Sequence, residues 1–121
     1  MGLFDSIMGA LSNATGMGSA SLKSAYLDQK APKGPGVYKI TYRGKLMKVG
    51  KASDGLRKRF SDYYRGEAGG TAGLKYITEH NRDSVYVSWK ECPSSEARKI
   101  ETMWYDQAKE RGEELPWSDR R

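Results

Sequence analysis

The stretch from Gly36 to Tyr64, GVYKITYRGKLMKVGKASDGLRKRFSDYY, constrains the fold more than any other part of this chain. Val37–Thr41 and Lys45–Val49 are rich in β-branched and apolar residues, with Gly44 between them, which predicts an antiparallel hairpin. A two-residue loop at Arg43–Gly44 would set Lys39 opposite Lys48, a like-charge pairing that sheets disfavour. A three-residue loop, Tyr42–Arg43–Gly44, avoids that pairing and gives Gly44 the left-handed position such loops require. It sets Tyr38 opposite Lys48 and Ile40 opposite Leu46. A helix is expected next, capped by Ser53 or Asp54 and stopped at Gly66. Leu56, Phe60 and Tyr63 share its inner face, and Arg59 joins the edge of that face. Hairpin and helix then converge Tyr38, Lys48, Lys51, Arg59 and Tyr63 on one site.

Past a glycine-rich connection, Leu74, Ile77 and Tyr76 point to a short helix ending near His80. Val85, Val87 and Trp89 alternate with Tyr86 and Ser88, the pattern of a strand with one buried face. It is expected to complete a three-stranded antiparallel sheet. The last helix is placed from Pro93 or Ser94 to Gly112, with Ala97, Ile100, Trp104 and Ala108 on one face. Leu115-Pro116-Trp117 follows as a tail that packs back.

Before the hairpin, Leu3, Phe4, Ile7, Met8 and Leu11 fall at helical spacing, so a short amphipathic helix is expected. Gly, Ser and Ala then read as a flexible linker to Ser21, with a second short helix from Ser21 to Asp28. Residues 1–31 therefore form an N-terminal helix and linker, and 32–121 the main domain. The first helix caps the core, meets a partner or membrane surface, or is a disordered leader. Docking on its own domain or on another copy is the favoured expectation, which leaves a homo-oligomer or a protein partner as its consequence.

The 121 residues carry a net charge of +6, which favours a polyanionic partner, nucleic acid first. A single cysteine, Cys92, and a single histidine, His80, exclude an internal disulfide framework and a zinc-ligand cluster. No apolar run spans a bilayer, and the first basic residue is Lys23, so neither a transmembrane segment nor a signal peptide is expected. A reducing, cytoplasmic setting fits. Glu101 lies on the apolar face of the last helix, between Ala97 and Trp104. A carboxylate there is paired with a buried arginine, bound to metal, or turned to solvent by a rotated helix.

Gly36-Val37-Tyr38, Lys48-Val49-Gly50-Lys51-Ala52 and Leu56-Arg57-Lys58-Arg59-Phe60-Ser61-Asp62-Tyr63, in this order and spacing, resemble the GIY-YIG nucleases. The branch found in nucleotide-excision repair is the most similar. Glu96-Ala-Arg-Lys-Ile-Glu101 resembles the family's third motif, whose second glutamate is the metal ligand. The resemblance implies a GIY-YIG-like α+β domain, a small three-stranded antiparallel sheet flanked by helices, that hydrolyses DNA phosphodiester bonds as an endonuclease. It implies one Mg²⁺ or Mn²⁺ on Glu101, Tyr38 orienting or deprotonating the attacking water, and Arg59 clamping the phosphate. Tyr63 then bonds within the site, and Lys33, Lys51, Arg57 and Lys58 form the nucleic-acid-binding surface. Two departures stand out. Lys48 occupies the place of the family's second tyrosine. There it lowers the Tyr38 pKa, contacts the phosphate, or marks a catalytically impaired module that still binds nucleic acid or a protein. Ser118 or Asp119 stands where the family has an asparagine.

Overall fold

The structure, a computed structural model, describes residues 16–66 and 76–118. Its centre is the hairpin of β2 (Gly36–Tyr42) and β3 (Lys45–Ala52). Tyr42 pairs with Lys45, so the loop is the two-residue turn Arg43–Gly44, and both residues have positive φ, 54° and 77°. This corrects the three-residue loop expected from charge. The chain keeps the tight turn and avoids the lysine clash differently. Thr41 faces Leu46 and Ile40 faces Lys48, which leaves Met47 as an extra, bulged residue. Lys39 therefore faces Val49 rather than Lys48, and Tyr38 faces Gly50.

The sheet has four strands, not three, in the order β1-β4-β2-β3, all antiparallel, with β1 at Met17–Ser21 and β4 at Val85–Glu91. The added strand is the part of the expected linker that pairs with β4, from Met17 opposite Lys90 to Ser21 opposite Tyr86. Gly, Ser and Ala carry no strand preference of their own; the hydrogen bonds offered by the β4 edge supply the order. Helix α1 (Leu22–Leu27) follows at once, and the Ser21 side chain accepts the Ser24 amide at 3.1 Å as its cap.

Helices cover both faces. On one face lie α1 and α2 (Leu56–Arg65), whose Leu22, Leu56, Phe60 and Tyr63 close over Tyr38, Ile40, Val85, Val87 and Trp89. On the other, α3 (Ser94–Glu110) packs on β2 and β3: Ala97 meets Val37 and Cys92, while Tyr105 and Ala108 meet Leu46 and Val49. Alternation along β2 sends Val37 to one helical layer and Tyr38 to the other.

Helix α2 begins later than expected. Gly55, not Ser53 or Asp54, holds the cap position, without a side-chain hydrogen bond. Instead the Leu56 and Arg57 amides donate to the carbonyls of Gly34 and Pro32, at 2.9 and 3.0 Å. The loop before β2 is thus the cap, and Gly66 ends the helix in the left-handed conformation as expected. The tail packs back: Leu115 and Trp117 are buried, and the Trp117 amide donates to the Met47 carbonyl at 2.9 Å. Its indole stacks on Tyr76, with centroids 5.7 Å apart and planes at 7°.

The expected amphipathic helix at 3–11 and Asp119 lie outside the described residues. Of the short helix expected to end near His80, Tyr76 is helical but residues 77–80 are irregular or in a turn, so that end is corrected. Among the described residues no helix is long and apolar enough to cross a membrane.

Candidate active site

Tyr38 reaches out of β2 across the edge strand. Its ring lies over Gly50, where a Cβ would stand 2.6 Å from both the phenol Cζ and the hydroxyl oxygen. Any residue but glycine at 50 would displace that phenol. Phe60 meets the Tyr38 ring edge-on at 5.5 Å and 81°, and Tyr63 does the same at 5.9 Å and 71°. The two hydroxyls share a hydrogen bond of 2.6 Å, and both residues are 1% exposed. Arg59, one turn before Tyr63 on α2, is half-buried and stands against both phenols.

The electrostatics follow from burial. Desolvation, with the neighbouring Tyr63 adding to it, lifts the Tyr38 phenol well above its ordinary range, and Arg59 offsets only part of this. Burial opposes the charge on Arg59, but Tyr38 and Tyr63 outweigh it and raise the guanidinium pKa. The group is therefore a protonated Tyr38 phenol, hydrogen-bonded to Tyr63, beside a permanent cation.

Of the roles expected of Lys48, lowering the Tyr38 pKa does not hold: Lys48 faces Ile40 rather than Tyr38, and Tyr38 moves up in pKa, not down. Lys51 is exposed and pairs with Val37, so it projects on the α3 face of the sheet, away from the phenols. Tyr38, Arg59 and Tyr63 are brought together; Lys48 shares their face of the sheet, and Lys51 does not.

Glu101 comes from the other helical layer. It is half-buried on α3, while Glu96 is exposed. Tyr38 and Arg59 act on each other and on Tyr63. Among the described residues no three His, Cys, Asp or Glu side chains gather. A single carboxylate suits a hard cation that keeps most of its ligands as water and phosphate oxygens, as Mg²⁺ does.

Of the basic residues, Lys33 and Lys58 are exposed near the start of α2, and Lys58 bonds Asp62 at 3.2 Å. Arg57 has a different task. Its guanidinium donates to the carbonyls of Ala31 at 2.9 Å and Gln29 at 3.3 Å, holding the capping loop on α2. The feature that sequence reasoning did not explain is Gly50. Its signal was present, as a glycine in the strand paired with the one carrying Tyr38, but its meaning depends on a register that the bulge sets.

Neither a protein-family profile nor a curated protein matches the chain. The solved structures do contain a match: the GIY-YIG N-terminal endonuclease domain of UvrC from Thermotoga maritima, bound to its catalytic divalent cation, magnesium. The two are 25% identical with a TM-score of 0.50, over 72% of this chain and 88% of that one.

Proposed function

Because the chain has a GIY-YIG-like fold, we propose that it is a metal-dependent endonuclease that hydrolyses DNA phosphodiester bonds. The observation that carries this reading is the Tyr38–Tyr63 hydroxyl pair with Arg59 against it, in a fold similar to a nuclease domain. Glu101 would hold one Mg²⁺ or Mn²⁺, which supplies charge neutralisation at the scissile phosphate and an acidified water.

The chain's own residues do the rest. Arg59 stays charged and clamps a non-bridging phosphate oxygen, bidentate where its fork allows. Tyr38 is held protonated by burial, so it serves as a hydrogen-bond donor that orients the attacking water, not as a phenolate base. Tyr63 fixes the direction of the Tyr38 hydroxyl through their shared hydrogen bond. Lys48, half-buried on the same sheet face, adds positive charge near the phosphate. Lys33 and Lys58 continue the basic surface along the start of α2.

A supercoiled-plasmid nicking assay tests this. Nicking is expected with Mg²⁺ or Mn²⁺, to stop with a chelator, and to fall at least a hundredfold in Arg59→Ala and in Glu101→Ala, as when a group stabilising transition-state charge is removed. Plasmid that stays intact under the folded wild-type chain with either ion refutes the enzyme. It favours the impaired module, for which Lys48 in place of a tyrosine is the relevant observation.

A further inference from the structure

Helix α3 packs on β2 and β3, and among the described residues no helix packs closely on the same face of β4 beside them. Val85, Val87 and Trp89 point into the α1–α2 core, so Tyr86, Ser88 and Lys90 point the other way. Tyr86 is 56% exposed there, a large aromatic ring with no helix over it among the described residues. Register sets its neighbours. Ser21 and Thr41 flank Tyr86, Ser19 and Lys39 flank Ser88, and Met17 and Val37 flank Lys90. Residues directly opposite share a face, so the ring stands between two short hydroxyl side chains.

One side of this surface has a wall. The Lys39 ammonium lies over the Trp104 ring of α3, 4.8 Å from its centroid. Burial, and then the charge of Arg111, lowers the Lys39 pKa, while Glu113 offsets part of the effect. Arg111 and Glu113 are the charges that act on Lys39, and by register Lys90 adds a further cation along the same face. An anion laid here relieves that crowding of cations.

We propose that this open half of the sheet binds a single strand of nucleic acid, with a base stacked on Tyr86 and the phosphate backbone running past Lys39 and Lys90. A flat platform with an accessible ring accepts any base face, and cations along one edge follow the backbone. Tyr86 and Lys90 are four residues apart on one strand, about 13 Å, a span of a few nucleotides rather than a point contact. A compact acidic peptide needs no exposed ring. The surface lies on the opposite side of the sheet from Tyr38, so it adds a strand-holding site to the nuclease reading without resting on it.

The test uses the full chain with a chelator present, which prevents any cleavage, and a 5′-labelled oligothymidylate of about 12 nucleotides. Fluorescence anisotropy reads the affinity and circular dichroism checks that each variant folds. Tyr86→Thr, which keeps a strand-favouring side chain, is expected to weaken binding about tenfold or more. Tyr86→Phe is expected to bind like the wild type, because stacking needs the ring and not the hydroxyl. Lys90→Gln is expected to weaken binding and make the salt dependence shallower by about 0.7 in log–log slope. The chelator silences any nicking, so this readout does not depend on whether the chain cuts plasmid, which separates this proposal from the previous one. Wild-type affinity in Tyr86→Thr overturns the proposal. So does an equal loss in Tyr86→Phe, or failure of the folded wild-type chain to bind the oligonucleotide.

Discussion

Tyr38 and Gly50 are a matched pair, and each explains the other. The phenol crosses the edge strand only because position 50 has no side chain, and the absent Cβ would lie 2.6 Å from its hydroxyl. Gly50→Ala is therefore expected to cost about 1–3 kcal/mol, the usual range for forcing one carbon into packed surroundings. It should also break the Tyr38–Tyr63 hydrogen bond. Urea denaturation and the near-ultraviolet tyrosine signal measure the two effects. Burial of Tyr38 has a second consequence, in its pH dependence. Its folded pKa is raised, so the folded chain holds a proton that the unfolded chain releases above about pH 10. The stability this group contributes is complete below that pH and is lost as pH rises towards the folded value. Melting temperature recorded from pH 8 upward should fall at the alkaline end, and less steeply in Tyr38→Phe.

Among the elements, the C-terminal tail is the one most open to a direct test. Trp117 is buried against Tyr42 and Tyr76 and anchors its amide on β3. Trp117→Ala is expected to destabilise the chain by about 3–5 kcal/mol, the range for emptying a buried aromatic site. A shift of the urea midpoint at unchanged slope is the readout. Element by element, legibility in the sequence followed the strength of the local pattern. The hairpin strands, β4, α2 and α3 were readable because apolar spacing of two or of three and four is imposed by a buried face. The strand at Met17–Ser21 was not, because its small residues have no preference and its order comes from the edge of β4. The start of α2 was misplaced because its cap is a pair of carbonyls from the loop before β2, a tertiary contact that side-chain capping rules do not see.

At the scale of the whole molecule, the sheet divides the chemistry. One face holds two buried phenols beside a half-buried guanidinium; the other is covered by α3 on β2 and β3 and carries the exposed surface around Tyr86. Tyr38, Arg59 and Tyr63 could be grouped from spacing alone, since a strand and the next helix share one core. Lys48 keeps the face expected of it although the bulge moves its partner to Ile40, whereas Lys51, expected at the site, pairs with Val37 and faces the other way. The net charge of +6 pointed to a polyanion but not to a face of the sheet. The bulge itself has a last implication, for the length of the chain. Met47 is unpaired, so excising it would leave Tyr42 against Lys45, Ile40 against Lys48 and Tyr38 against Gly50. Excising Val49 instead would slide Lys51 under the phenol. A shortened variant lacking Met47 would thus retain the hairpin's partners and forfeit the carbonyl that moors Trp117, together with the packing of Met47 on the core. Site and tail are, at this one residue, separable by deletion.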